Sequence, residues 1–138
     1  RERQKQPYPQ KNKHTTMHLE KLKYDLSVCQ VKDITGVNDF LFLAKTDKEL
    51  SVVCETEIAP GNTINREDGW TAFRVAGSLE FSLVGILADI SRCLADAGIS
   101  IFAVSTYDTD YILVKKDNWD KAKSALMNAG YEITEALL

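Results

Sequence analysis

The polar run Ser105-Thr106-Tyr107-Asp108-Thr109-Asp110 stands between two apolar segments, and its side chains suit recognition chemistry. Asp108 and Asp110 share one strand parity and supply carboxylates that attract an ammonium group. Tyr107 adds a broad ring with a hydroxyl, and Ser105 and Thr106 add further hydroxyls. Earlier in the chain, Gly77-Ser78-Leu79-Glu80-Phe81-Ser82-Leu83 leads from a strand-like segment into a helix-like one. The first backbone amides of a helix can receive an acidic group, and the helix dipole reinforces them. Backbone groups of Leu79, Glu80, Phe81 and Ser82, with the hydroxyl of Ser78 or Ser82, are therefore expected to hold a carboxylate. Amino acids carry both a carboxylate and an ammonium, so the two local chemistries suggest one ligand class. A plainer reading stands beside it: Ser82 as a helix N-cap, and Ser105 to Asp110 as a chain reversal.

Residues for catalysis are scarce. His14 and His18 are the two histidines, and both lie near the head of the chain, away from a fixed scaffold. Cys29, Cys54 and Cys93 are dispersed, without Cys-x-x-Cys spacing. Cys29 and Cys54 can meet across neighbouring strands, but a metal would need further ligands, so both read as packing residues. Glu67-Asp68 reads as an exposed acidic pair, and Gly85 stands outside any repeated glycine motif for phosphate. No catalytic residue, metal site or cofactor is expected, and the chain is not read as an enzyme.

Of 138 residues, 44% are apolar and 27% charged, which fits one domain or one small module with a partial one. No apolar run reaches a membrane-spanning length, the first residues lack a signal-peptide pattern, and thiols without a pairing pattern fit the cytoplasm. The net charge of −3 is uneven: residues 1–16 carry +4 and residues 17–138 carry −7. That balance makes the folded part a poor general binder of polyanions. Residues 1–23 are expected to form a flexible head, with Met17 a candidate original start and order beginning near Tyr24.

These groups need elements to position them. Tyr24–Val31 reads as a strand, and Phe40–Ala44 with Leu50–Cys54 reads as a hairpin around the corner Thr46–Glu49. A long polar stretch from Glu55 to Gly69 follows, and strand pattern returns at Trp70–Ala76. Leu83, Ile86, Leu87, Ile90, Leu94 and Ala97 then fall at helical spacing, with Ser82 as N-cap and Gly98 as terminator. Strands follow at Ile99–Thr106 and Tyr111–Val114. A second helix is capped by Asp117 and carries the stripe Trp119, Ala122, Leu126 and Ala129, and a short strand closes at Tyr131–Thr134. From Trp70 onward the order is strand, helix, strand, strand, helix, strand, the ferredoxin-like arrangement with both helices on one face of an antiparallel sheet. The domain reading is a flexible head (1–23), a partial strand-rich module (24–69) and a complete module with a short tail (70–138). No exact sequence repeat relates the two. Apolar residues on both parities of Trp70–Ala76 and Ile99–Thr106 call for cover on both sheet faces, so a homodimer is expected.

Residues 24–134 resemble the small ACT-containing proteins related to the CASTOR-family arginine sensors. The resemblance rests on LSVC (Leu26–Cys29), SVVC (Ser51–Cys54), WTAFRVAG (Trp70–Gly77), LEFSLVGILADI (Leu79–Ile90) and AGISIFAVSTYDTDYILV (Ala97–Val114). It implies an α+β fold: a ferredoxin-like ACT module with an additional partial strand-rich module. It also implies noncatalytic binding of a free amino acid or related small metabolite, with arginine as the leading candidate. Gly85 and Leu87 match the glycine and apolar position of the usual first ACT helix, whereas Val84 replaces the common proline. Ser105 to Asp110 resembles the sensors' polar segment. The alternative is a structural ACT dimerisation module without its own ligand. A third, weaker reading is an RNA-binding sheet presenting Phe73 and Phe102, which lacks a basic stripe.

Overall fold

A computed structural model describes residues 17–76 and 85–135. Two compact units divide them. The first is residues 24–71; the second takes the described residues up to Lys23 and those from Ala72 onward.

The first unit is built of strands. β2 (Leu26–Val31), β4 (Leu50–Glu55) and β3 (Phe42–Lys45) are joined by antiparallel pairing, with β4 between the other two. Along the other side of β2 runs the first part of β5 (Thr63–Val75), which pairs Val28 with Glu67, Cys29 with Arg66 and Gln30 with Asn65. This strand begins well before Trp70, where the sequence reading placed it. Apart from Ile64 its first residues carry no large apolar side chain, so no apolar alternation marks them. Backbone pairing and cross-strand polar contacts hold them instead: Asn65 Nδ2 donates to Gln30 Oε1 at 2.6 Å, and Ser27 Oγ donates to Asp68 Oδ1 at 2.5 Å. Cys29, Val31, Val52 and Cys54 make a small core on one face. In this unit a single 3-10 turn, Thr56–Ile58, stands where a second helix would start.

The second unit carries the two α-helices found among the described residues, α1 (Ile86–Asp96) and α2 (Trp119–Asn128). Ile86, Ile90 and Leu94 of α1, with Trp119, Ala122 and Leu126 of α2, cluster with Phe73, Val75, Ile112 and Val114. The latter four alternate along β5 and β7 (Asp110–Lys115), so both helices cover one sheet face, as expected. β6 (Phe102–Ser105) pairs antiparallel with β7. The order strand, helix, strand, strand, helix, strand is that of a ferredoxin-like α+β module.

Four local expectations are corrected. His18–Lys21, placed in the flexible head, is strand β1; it pairs antiparallel with β5 and parallel with β8 (Glu132–Glu135). The sheet is therefore mixed rather than antiparallel. Ordered backbone begins before Tyr24 because β1 delivers a fully buried Leu19 to the helix-side core. At α1 the N-cap is Gly85, in the left-handed region at φ 88°, rather than Ser82; glycine reaches it without a Cβ clash. At α2 the N-cap is Asn118, and Asp117 lies inside the preceding 3-10 turn. Gly98 does end α1: at φ 76° it lets Ile99 N–H reach Leu94 O at 2.9 Å.

The two β-hairpins share one plan at a spacing of 60 residues. Phe42–Lys45 corresponds to Phe102–Ser105, Leu50–Glu55 to Asp110–Lys115, and each hairpin runs into a 3-10 turn. The register agrees as well, with Phe42 opposite Val53 and Phe102 opposite Leu113. Few side chains are shared over this stretch, among them Phe42 with Phe102 and Thr46 with Thr106, so sequence comparison passes over the repeat.

Candidate functional site

The β6–β7 tip gathers Ser105, Thr106, Tyr107, Asp108 and Asp110. Ser105 and Asp110 are cross-strand partners, and Ser105 Oγ donates to Asp110 Oδ1 at 2.7 Å. Thr106 builds the reversal. Its N–H donates to Thr109 O at 2.8 Å, and its Oγ1 accepts from Asp108 N–H at 3.3 Å and Thr109 N–H at 3.2 Å. Buried Thr109 fastens the tip to β5 by donating from Oγ1 to Val75 O at 2.8 Å. Tyr107 is 86% exposed. The tip thus holds a ring and two carboxylates on a backbone fixed from within.

The other hairpin serves as an internal control for this turn. Thr46 N–H donates to Glu49 O at 2.9 Å, and Thr46 Oγ1 accepts from Lys48 N–H at 3.1 Å and Glu49 N–H at 3.2 Å. The same reversal therefore forms with Asp47-Lys48 where the second tip has Tyr107-Asp108. The threonine makes the same bonds in both turns, while the two residues after it differ in type. Thr46→Ala and Thr106→Ala are each expected to cost about 1 kcal/mol, the net worth of such hydrogen bonds, as read by chemical denaturation.

Ser78, Leu79, Glu80, Phe81 and Ser82 lie outside the described residues, as do the other residues of 77–84.

Arg74 carries no signal in the sequence, where it is one cation inside an apolar strand. It stands opposite Glu20 in the β1–β5 ladder, with Nε donating to Glu20 Oε1 at 2.9 Å and Nη1 to the Tyr111 hydroxyl at 3.4 Å. The Glu20 carboxylate, and then Tyr111, hold its pKa above the ordinary value. Because Phe73 and Val75 face the helices, Arg74 points to the other face. Tyr111 joins it there, next in sequence to Asp110.

A cleft of about 410 Å³ lies between α1 and α2, lined by Asp89, Arg92, Cys93, Asp96, Ala97, Ala125 and Ala129. None of the expected site residues lines it. At its margin buried Tyr131 donates its hydroxyl to Asp89 Oδ2. Burial first, and the Asp89 carboxylate second, push the phenol pKa up, so it stays a neutral donor. Cys93 Sγ donates to Ala125 O at 3.4 Å. Among the described residues no group of three or more His, Cys, Asp or Glu side chains is placed to hold a metal ion. No helix among them is long and apolar enough to cross a membrane.

Residues 65–128 match the family model described as the ACT domain. ACT domains are regulatory, non-catalytic modules, and their fold is typical of small-molecule regulation. No curated protein matches the chain significantly. Among solved structures, a protein from Agobacterium tumefaciens is similar at 27% identity and a TM-score of 0.79, over 89% of this chain and 96% of that one. A Vibrio cholerae protein of unknown function is similar at 24% identity and TM-score 0.68, over 82% and 89%. Aspartate kinase from Clostridium acetobutylicum, an allosteric enzyme, is similar at 14% identity and TM-score 0.61, over 83% of this chain and 34% of the kinase. The likenesses to the Vibrio protein and the kinase are likenesses of fold.

Proposed function

We propose, from the match of residues 65–128 to the ACT-domain family model, that the chain is a noncatalytic regulatory module that binds a free amino acid or related amine-bearing metabolite in the cytoplasm. The observation that carries this reading is the β6–β7 tip. Its turn is built by Thr106, as the twin turn is by Thr46, yet it presents an 86% exposed Tyr107 between hydroxyls and the carboxylates Asp108 and Asp110. Tyr107 and Thr106 form one wall, and Asp108 or Asp110 meets the ligand's ammonium. The strand-to-helix stretch Ser78 to Ser82 is the candidate in the sequence for the carboxylate, beside the resemblance of Ser105 to Asp110 to the polar segment of the ACT sensors. Arginine leads the candidates on that resemblance.

Isothermal titration calorimetry against a panel of free amino acids tests the reading. At least one member is expected to bind, and Asp108→Asn or Asp110→Asn is expected to weaken it by about tenfold through loss of a charge-assisted contact. A folded, ligand-free sample that binds no member at millimolar concentration contradicts it.

One observation favours a second reading, dimerisation without a ligand. Ile34, Phe40, Leu43, Ile58 and Ile64 of the strand-rich unit are exposed large apolar residues. Sedimentation equilibrium separates the cases: a dimer with no ligand in the panel supports this reading, and a monomer across a broad concentration range excludes it.

A further inference from the structure

The strand-rich unit holds its core without an α-helix, and two of the four buried side chains in that core are thiols. In the β2–β4 ladder Cys29 stands opposite Val52 and Cys54 opposite Ser27, so the cysteines are diagonal neighbours on one face. Cys29 is 1% exposed and Cys54 0% exposed, and their thiols lie close enough to interact. Arg66 stands across from Cys29 on β5, ion-paired through Nε to Asp68 Oδ1 at 2.7 Å. Small modules with thin cores are the ones that gain most from a covalent staple.

We propose that Cys29 and Cys54 form a reversible disulfide, made by a peroxide oxidant, that clamps β2 to β4 and acts as a redox switch on the strand-rich unit. One thiol releases its proton and the thiolate attacks an oxygen of hydrogen peroxide; the O–O bond breaks, and the leaving hydroxide takes up that proton, giving a sulfenic acid and one water. The second thiol attacks that sulfur, forming the S–S bond and releasing a second water. The two sulfurs together lose the two electrons that the peroxide gains.

Geometry makes the bond a switch rather than a permanent staple. Diagonal neighbours on paired strands have Cα atoms about 7–8 Å apart, whereas disulfides usually span about 4.4–6.8 Å. Closing the bond must draw the ladder in, and a strained disulfide is readily reduced. The pull reaches Ser27, the cross-strand partner of Cys54, whose hydroxyl bonds Thr56 at 2.9 Å and Asp68 at 2.5 Å. Burial also pushes both thiols up, Cys54 to about 11, so thiolate is scarce near neutrality and oxidation is slow. Arg66 is the nearby positive charge that opposes this shift.

The test uses the whole chain with Cys93→Ser, which removes the third, half-buried thiol. Reduced protein is treated with hydrogen peroxide, quenched, denatured, alkylated with N-ethylmaleimide and analysed by intact mass and peptide mapping. The expected product has lost about two mass units, takes up no N-ethylmaleimide, and shows a Cys29–Cys54 crosslink reversed by dithiothreitol. Its formation accelerates by about tenfold from pH 7 to pH 8. Two alkylated thiols, irreversible sulfinic acids or an intermolecular crosslink would overturn the proposal. Cys29→Ala and Cys54→Ala must each abolish the product. Should either variant fail to fold by circular dichroism, the peptide map of the Cys93→Ser chain decides.

Discussion

Phe73→Ala is expected to lower the unfolding free energy by about 3–5 kcal/mol, the usual cost of deleting a core aromatic ring. Phe73 is 0% exposed and lies within the cluster that α1 and α2 form over the sheet. Its ring centroid is 5.7 Å from that of Trp119 at a 45° tilt, so truncation removes a strand-to-helix contact as well as apolar volume. Urea denaturation reads the change as a lower midpoint with little change in slope. Met127→Ala, at an exposed position of α2, should stay within about 0.5 kcal/mol of the parent. Equal losses at both positions would contradict the described core.

The second large effect lies at a position that the sequence assigns to a flexible head. Leu19→Ala is expected to cost about 2–5 kcal/mol. Leu19 is 0% exposed, opposes Val75 in the β1–β5 ladder and Ile133 in the β1–β8 ladder, and enters the same core as Phe73. Were residues 18–21 loosely held, the substitution would change stability by about 0.5 kcal/mol or less. Denaturation of this one variant separates the two outcomes.

What could be read in the sequence was what local chemistry dictates. The stripes Ile86, Ile90, Leu94 and Trp119, Ala122, Leu126 carry helical period in the sequence and face the core in the structure. Apolar runs around Thr46–Glu49 marked the first hairpin. What could not be read depends on distant partners. β1 is four residues with one buried apolar side chain, too short for a period, and its place is set by pairing with β5 and β8. The first part of β5 is mostly exposed and, apart from Ile64, without a large apolar side chain; backbone pairing to β2 holds it. Ser82 and Asp117 have the right chemistry for caps, yet α1 starts from a left-handed Gly85 and α2 continues a 3-10 turn. At the candidate site, the polar composition of Ser105 to Asp110 was legible. The division of labour within it, with Thr106 making the turn and Thr109 anchoring to β5, needed the hydrogen bonds.

We propose that the second hairpin tip recognises a small molecule while its twin turns the chain. A titration of the amino-acid panel, arginine first, into isotopically labelled protein followed by amide chemical shifts tests it most directly. Shifts are predicted at the amides of Ser105 to Asp110, saturating with ligand, while Asp47, Lys48 and Glu49 in the matching turn stay unmoved. An unchanged spectrum at Ser105 to Asp110 across the whole panel at millimolar concentration, or equal shifts at both tips, would contradict the claim.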